Sequence, residues 1–160
     1  MPRSIVREAR VESLPALQRF VEEASRQAGV ADEIAYGVRL AVEEVCTNII
    51  KYGYAAGEPG PITVTFCREP DRVVVTITDR GQPFDPRHAR APDLESSWPE
   101  RRLGGLGLHL VHQFMDEVRY DADSTDGNRL TLVRWLGSSH PKVVGSARRS
   151  ECGDNGGVSR

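Results

Sequence analysis

Glu44 and Asn48, in the stretch LAVEEVCTNIIKYGY over residues 40–54, stand four residues apart. In a helix that spacing stacks them on one face, one turn above the other. Three arrangements meet the pattern: a solvated face with Lys51 nearby, a local hydrogen bond, or half of a nucleotide-metal site. An amide oxygen is a hard ligand suited to Mg²⁺, and a carboxylate one turn away could orient or deprotonate a nucleophile. Asp79 closes a run of β-branched residues and precedes Arg80-Gly81. An acid at a strand end is a common turn former. Its alternative use is as an acceptor for an exocyclic amine, with Gly81 letting backbone approach a flat ring. The third candidate is GGLGL, made of Gly104, Gly105, Leu106, Gly107 and Leu108. It lacks the Lys-Ser/Thr of a phosphate loop. Its glycines nevertheless leave backbone N–H groups able to hold phosphate at a helix N-terminus, although a plain turn needs glycine too.

The elements that must position these residues are legible from apolar period. Ile5, Ala9 and Val11 alternate with charged residues, as in a half-buried strand. Ser13 is placed to cap a helix with Pro15 in its first turn, and Leu14, Leu17, Phe20, Val21 and Ala24 follow at helical spacing until Gly29. A second helix is expected after Ala31 or Asp32, carrying Ile34, Val38, Ala41, Val42, Val45 and Ile49 to a core before GYAAGEPGP breaks it. Residues 62–69 and 72–79 predict two strands joined tightly through Pro70-Asp71. Residues 87–102 show no apolar period, and a loop of that length is usually functional or disordered. A short helix then carries Leu108, Val111, His112 and Met115, and two strands surround the turn STDG. The order is strand, helix, helix, strand, strand, long loop, helix, strand, strand. It predicts an α+β two-layer sandwich, with a mixed, mostly antiparallel sheet and helices on one face. A doubly wound sheet would need alternating βαβ units.

Composition removes several classes. The 160 residues predict one domain over 1–137, and the Gly/Ser-rich, charged segment 138–160 predicts a flexible tail. Twenty-one basic and 23 acidic residues are well mixed, which leaves no basic stripe for direct nucleic-acid binding. No run approaches a membrane span and the N-terminus lacks a signal-peptide core, so a cytoplasmic location is expected. Cys46, Cys67 and Cys152 form no CxxC pair, which supports neither a zinc site nor a disulfide framework.

Taken in order, EEVCTNIIKYGY, DRGQPFDP and GGLGLHLVHQFMDEVRY resemble the GHKL ATPase superfamily, the Bergerat adenine-binding fold of gyrase, heat-shock chaperones and histidine kinases. Within it they are similar to the anti-sigma factor serine kinases of bacterial partner switching, over roughly residues 4–136. The resemblance implies Glu44 as general base and Asn48 as Mg²⁺ ligand. It implies that Asp79 receives the adenine amino group, that Gly81 opens space beside the ring, and that residues 87–103 form an ATP lid. Gly104, Gly105, Leu106, Gly107 and Leu108 would start the phosphate-contacting helix. Three positions depart from the family pattern: Tyr52 stands where histidine is frequent, Asn128 follows Gly127 where threonine is common, and neither Arg101 nor Arg102 aligns with a γ-phosphate arginine. Asn128 can still offer a hydrogen bond toward the adenine side.

The implied activity is that of an anti-sigma factor and ATP-dependent protein-serine kinase. Its substrate would be a serine of a STAS-type antagonist, its cofactors ATP and Mg²⁺, its other partner a sigma factor, and its assembly a homodimer. The alternative is a regulatory module that binds ATP and sequesters a sigma factor or another regulator without phosphotransfer. Binding alone needs no base, so Glu44 favours the kinase.

Overall fold

Ile62, Val64 and Phe66 alternate with threonines along one strand, and Val73, Val75 and Ile77 alternate with Val74 and Thr76 along its neighbour. This period of two decides which face of the sheet meets the helices. The computed structural model describes residues 1–83, 103–124 and 127–137, without side chains for 103–108, 123 and 124. Among the described residues five strands form one sheet: β1 (Arg3–Glu8), β2 (Pro61–Arg68), β3 (Arg72–Asp79), β4 (Glu117–Ser124) and β5 (Gly127–Trp135). Their spatial order is β1-β2-β3-β5-β4, and every neighbouring pair is antiparallel. The sheet is thus wholly antiparallel rather than mixed, because β5 returns between β3 and β4.

Among the described residues three α-helices, α1 (Leu14–Gln27), α2 (Asp32–Asn48) and α3 (Leu103–Phe114), supply the second layer. Leu17, Val21 and Ala24 of α1 and Val38, Ala41, Val42 and Val45 of α2 are buried in one cluster with Ile62, Val64, Phe66, Val75, Ile77, Leu130 and Leu132. Burying such side chains is worth roughly 1.5–3 kcal/mol each, which is what holds α2 in register on the sheet. Where α2 meets α3, a Cβ at Gly37 would lie 2.9 Å from the Phe114 ring, so this crossing depends on a residue without a side chain. The ring of Phe114 also meets that of Tyr36 edge-on, 6.4 Å between centroids.

Local details differ from the sequence expectation. β1 stops at Glu8, and Val11, 64% exposed, opens a 3₁₀ turn (Val11–Ser13) instead of continuing the strand. Ser13 makes no side-chain cap; the 3₁₀ turn leads directly into α1, with Pro15 in the first turn. His109 and His112 are both exposed on α3, while Val111 and Met115 face the core. On the opposite face of the sheet Cys67, Val74 and Val133 pack with Trp135. Cys67 is disulfide-bonded, against the expectation of unlinked thiols. Among the described residues no helix is long and apolar enough to cross a membrane. The segments expected to be a lid and a tail lie almost wholly outside the described residues.

Candidate active site

The strand period that sends Val73, Val75 and Ile77 into the core sends Asp79, two residues on, toward the same helical layer. Asp79 is the last residue of β3 and is 8% exposed. A buried carboxylate needs donors, and its Oδ1 has two. The Gly81 N–H donates at 2.8 Å and Asn128 Nδ2 at 3.0 Å. Asn128 reaches it because Asp79 and Asn128 are register partners in the β3–β5 ladder. The same Nδ2 donates to the Gly81 carbonyl at 2.9 Å, and the Tyr120 hydroxyl, on β4, donates to Asn128 Oδ1 at 3.3 Å. Asn128 therefore spends its polar groups inside the protein. It orients Asp79 and Gly81 rather than reaching outward.

Glu44 and Asn48 lie in the last turns of α2, and the helix does not stop cleanly after them. Ile49–Gly53 continue as a π-helical turn, a feature that is rare and concentrates at functional sites. The wider turn delivers Gly53 to the end of β3. The Gln82 N–H donates to the Gly53 carbonyl at 2.6 Å, and a Cβ at Gly81 would land on that same carbonyl. Glycine at position 81 is thus required by close approach of two backbones. Cys46, one turn before Gly53's segment, is fully buried. Burial, reinforced by the charge of Asp79, pushes its thiol up to about 12, so it is inert at neutral pH and marks how closely α2 packs on Asp79.

Glu44 is half-buried, and desolvation raises its pKa above the ordinary value; Glu43 adds to the rise and Lys51 opposes it. Asn48 is 7% exposed, and among the described residues its Nδ2 has no hydrogen-bond partner. A buried amide with an unused polar end is costly unless something binds there. Among the described residues no group of three or more His, Cys, Asp or Glu could hold a metal by itself. A single amide oxygen fits a Mg²⁺ that arrives with phosphate oxygens and keeps several of its own ligands.

The structure joins Asp79, Gly81 and Asn128 by hydrogen bonds, and the π turn that follows Glu44 and Asn48 meets the same corner through Gly53. Gly104, Gly105, Leu106, Gly107 and Leu108 occupy the first turns of α3, so the glycine cluster does open a helix; their side chains are outside the described residues. Gly53, Tyr54 and Tyr120 were not singled out from the sequence. The KYGY ending of the first motif was the available signal for two of them; Tyr120 had none.

A profile of the histidine kinase-like ATPase domain matches residues 7–134. The chain belongs to the histidine kinase-like ATPase family. Within that family it is similar to Serine-protein kinase RsbW of Bacillus licheniformis, 34% identical over 119 residues that cover 68% of this chain and 72% of that protein. It is similar also to Serine-protein kinase RsbW of Bacillus subtilis, 36% identical over 118 residues covering 71% of each chain. The crystal structure of the RsbU and RsbW domains of a Mycobacterium tuberculosis protein shares the fold, with a TM-score of 0.60 at 20% identity over 84% of this chain and 32% of that one. The family fold accounts for the antiparallel sheet under one helical layer; the first motif falls on α2 and its π turn, the second begins at Asp79, the last residue of β3, and the third runs through α3 into β4.

Proposed function

We propose that this chain is an anti-sigma factor and ATP-dependent protein-serine kinase, acting on a serine of a STAS-type antagonist in a partner-switching system. The observation that carries the reading is the convergence of the Asp79–Asn128 pair with the α2–π junction that holds Glu44 and Asn48. Asp79 Oδ2 accepts the adenine amino group, with Gly81 beside the ring. Asn48 presents its amide to Mg²⁺ and the phosphates, and the N–H groups at the start of α3, with Gly104, Gly105 and Gly107, face phosphate oxygens. Mg²⁺, when bound, supplies neutralisation of the charge on the transferring phosphoryl group.

Glu44 takes the proton of the attacking serine hydroxyl. The serine Oγ–P bond forms as the bond from the γ-phosphorus to the bridging oxygen breaks, leaving phosphoserine and ADP. Positioning and electrostatics account for most of such a reaction, so few groups need touch it. The raised pKa of Glu44 suits a base, since proton affinity increases with it. Sigma-factor binding, a homodimer and a cytoplasmic location complete the proposal.

The direct test incubates the protein with labelled ATP, Mg²⁺ and STAS proteins encoded beside it. Transfer of label to a serine of one of them is expected. ATP binding with no transfer to any would leave only the regulatory-module reading.

The pH dependence has a definite sign. Glu44 works ionised, and its folded pKa is raised, so phosphotransfer falls as pH drops through a value above 4.5, the ordinary glutamate value. A kcat profile carried from below pH 4.5 up to pH 8 should show that acid limb above 4.5, and a limb below that ordinary value would contradict the base assignment.

A further inference from the structure

Tyr54 follows the π turn directly, and the chemistry above gives it no task. Its hydroxyl sits between two backbone groups: the Arg80 N–H donates to it at 2.8 Å, and it donates to the Pro61 carbonyl at 2.8 Å. The β2–β3 ladder ends with Ile62 opposite Asp79, so Pro61 and Arg80 are the next pair in register. In an unbroken antiparallel ladder an N–H and a carbonyl at such positions bond to each other. Here a phenol stands between them. Pro61 has no N–H, so the reciprocal rung cannot form either.

The ring gains its place through Gly60. A Cβ there would fall on the Tyr54 ring, so only a residue without a side chain admits it. Burial, with the charge of Asp79 in support, raises the phenol pKa, although the Arg80 N–H opposes the rise; the hydroxyl therefore keeps its proton for Pro61 throughout the working range. The consequence is geometric. β2 and β3 are held apart by the width of a hydroxyl at the residue after Asp79. The displaced chain then meets Gly53, whose carbonyl accepts the Gln82 N–H. Residues 53 and 54 thus grip the Asp79–Gln82 corner from the segment that begins at Asn48.

We propose that Tyr54 is a positioning residue for adenine recognition: its hydroxyl replaces the last rung between β2 and β3 and so sets where Asp79 and Gly81 stand. The proposal rests on the adenine reading of Asp79 and adds the element that aims it. It also ties the adenine end of the site to the α2 end that carries Asn48, because one short segment serves both.

The test is Tyr54→Phe, which keeps the ring against Gly60 and removes both hydrogen bonds. ATP and GTP affinities are measured by titration for wild type and variant, with kcat at saturating ATP and a thermal melt alongside. ATP affinity should fall about tenfold, as expected for misdirecting one strong hydrogen bond, and the preference for ATP over GTP should narrow by a similar factor. The value of kcat should change less than about threefold, because Glu44 is untouched. Gly60→Ala, which pushes the ring from its slot, should reproduce the narrowed preference. An unchanged ATP/GTP ratio in folded Tyr54→Phe overturns the proposal whatever the melt shows, since a merely structural tyrosine lowers stability without altering base choice. A Tyr54→Phe chain that does not fold assigns the residue to the fold alone and overturns it too. The wild-type arm separates the two claims: a wild type with no preference for ATP removes the adenine reading itself.

Discussion

Asp79→Asn is expected to weaken ATP binding on the order of 10²-fold while leaving the chain folded. The reason lies in how the carboxylate is held. Its Oδ1 accepts from the Gly81 N–H at 2.8 Å and from Asn128 Nδ2 at 3.0 Å. An asparagine can keep both bonds only by placing its oxygen there, which turns its NH₂ toward the adenine amine, donor against donor. The flipped amide satisfies the ligand and sets two buried donors against a third. Neither orientation serves both sides, whereas a carboxylate accepts at both oxygens. Titration with ATP checks the affinity and circular dichroism the fold. Unchanged affinity in a folded variant would remove Asp79 from the adenine end of the site.

Glu44→Gln should lower phosphotransfer by ~10²-fold or more, with ATP affinity unchanged, because a general base acts in the transition state and not in nucleotide binding. Glu44→Ala should behave alike. The glutamine variant carries a second expectation, in stability. Burial and Glu43 raise the Glu44 pKa in the fold, so its ionised form is disfavoured there. At neutral pH Glu44→Gln therefore gains stability relative to wild type. As pH falls through the raised pKa toward 4.5 the wild-type group takes up its proton, and the gain disappears. Thermal melts at neutral pH and near pH 4, set beside single-turnover kinetics, check both. A variant with full kinase activity would end the base assignment, and one that also loses ATP binding would make Glu44 a binding residue.

The opposite signs of those two effects on Glu44→Gln are characteristic of a residue kept for chemistry. A half-buried carboxylate beside another carboxylate is a poor choice for stability alone. The amide of Asn48, one turn along and unpartnered among the described residues, has the same quality. Both sit where α2 gives way to a π turn, so the polar groups that cost the fold something are gathered at one helix end.

Much of this was legible from residue order. β2 and β3 could be bounded within a residue because β-branched residues recur through both and Pro70-Asp71 separates them. The helix with Glu44 and Asn48 showed in its apolar spacing, and the three motifs in sequence pointed to the family. Two short-range expectations failed for local reasons. Val11 matched a strand period but lies in a 3₁₀ turn, since a period of two over three residues cannot be told from chance. Ser13 has the residue type of a cap, yet the preceding 3₁₀ turn already occupies that end of α1.

What the sequence by itself determined was the set of chemical groups and the elements that carry them: a carboxylate and an amide on one helical face, an acid at a strand end, glycines at a helix start. These follow from local periodicity, which the order of residues contains in full. Only the tertiary structure decided how the groups are aimed. Asn128 is 49 residues from Asp79, and it could be assigned to orienting that carboxylate only once β5 had been found to lie between β3 and β4. The π turn and the Tyr54 hydroxyl carry no periodic signature, because each depends on where another strand ends. Contacts of that kind are fixed by packing across long chain separations, and no local pattern encodes them.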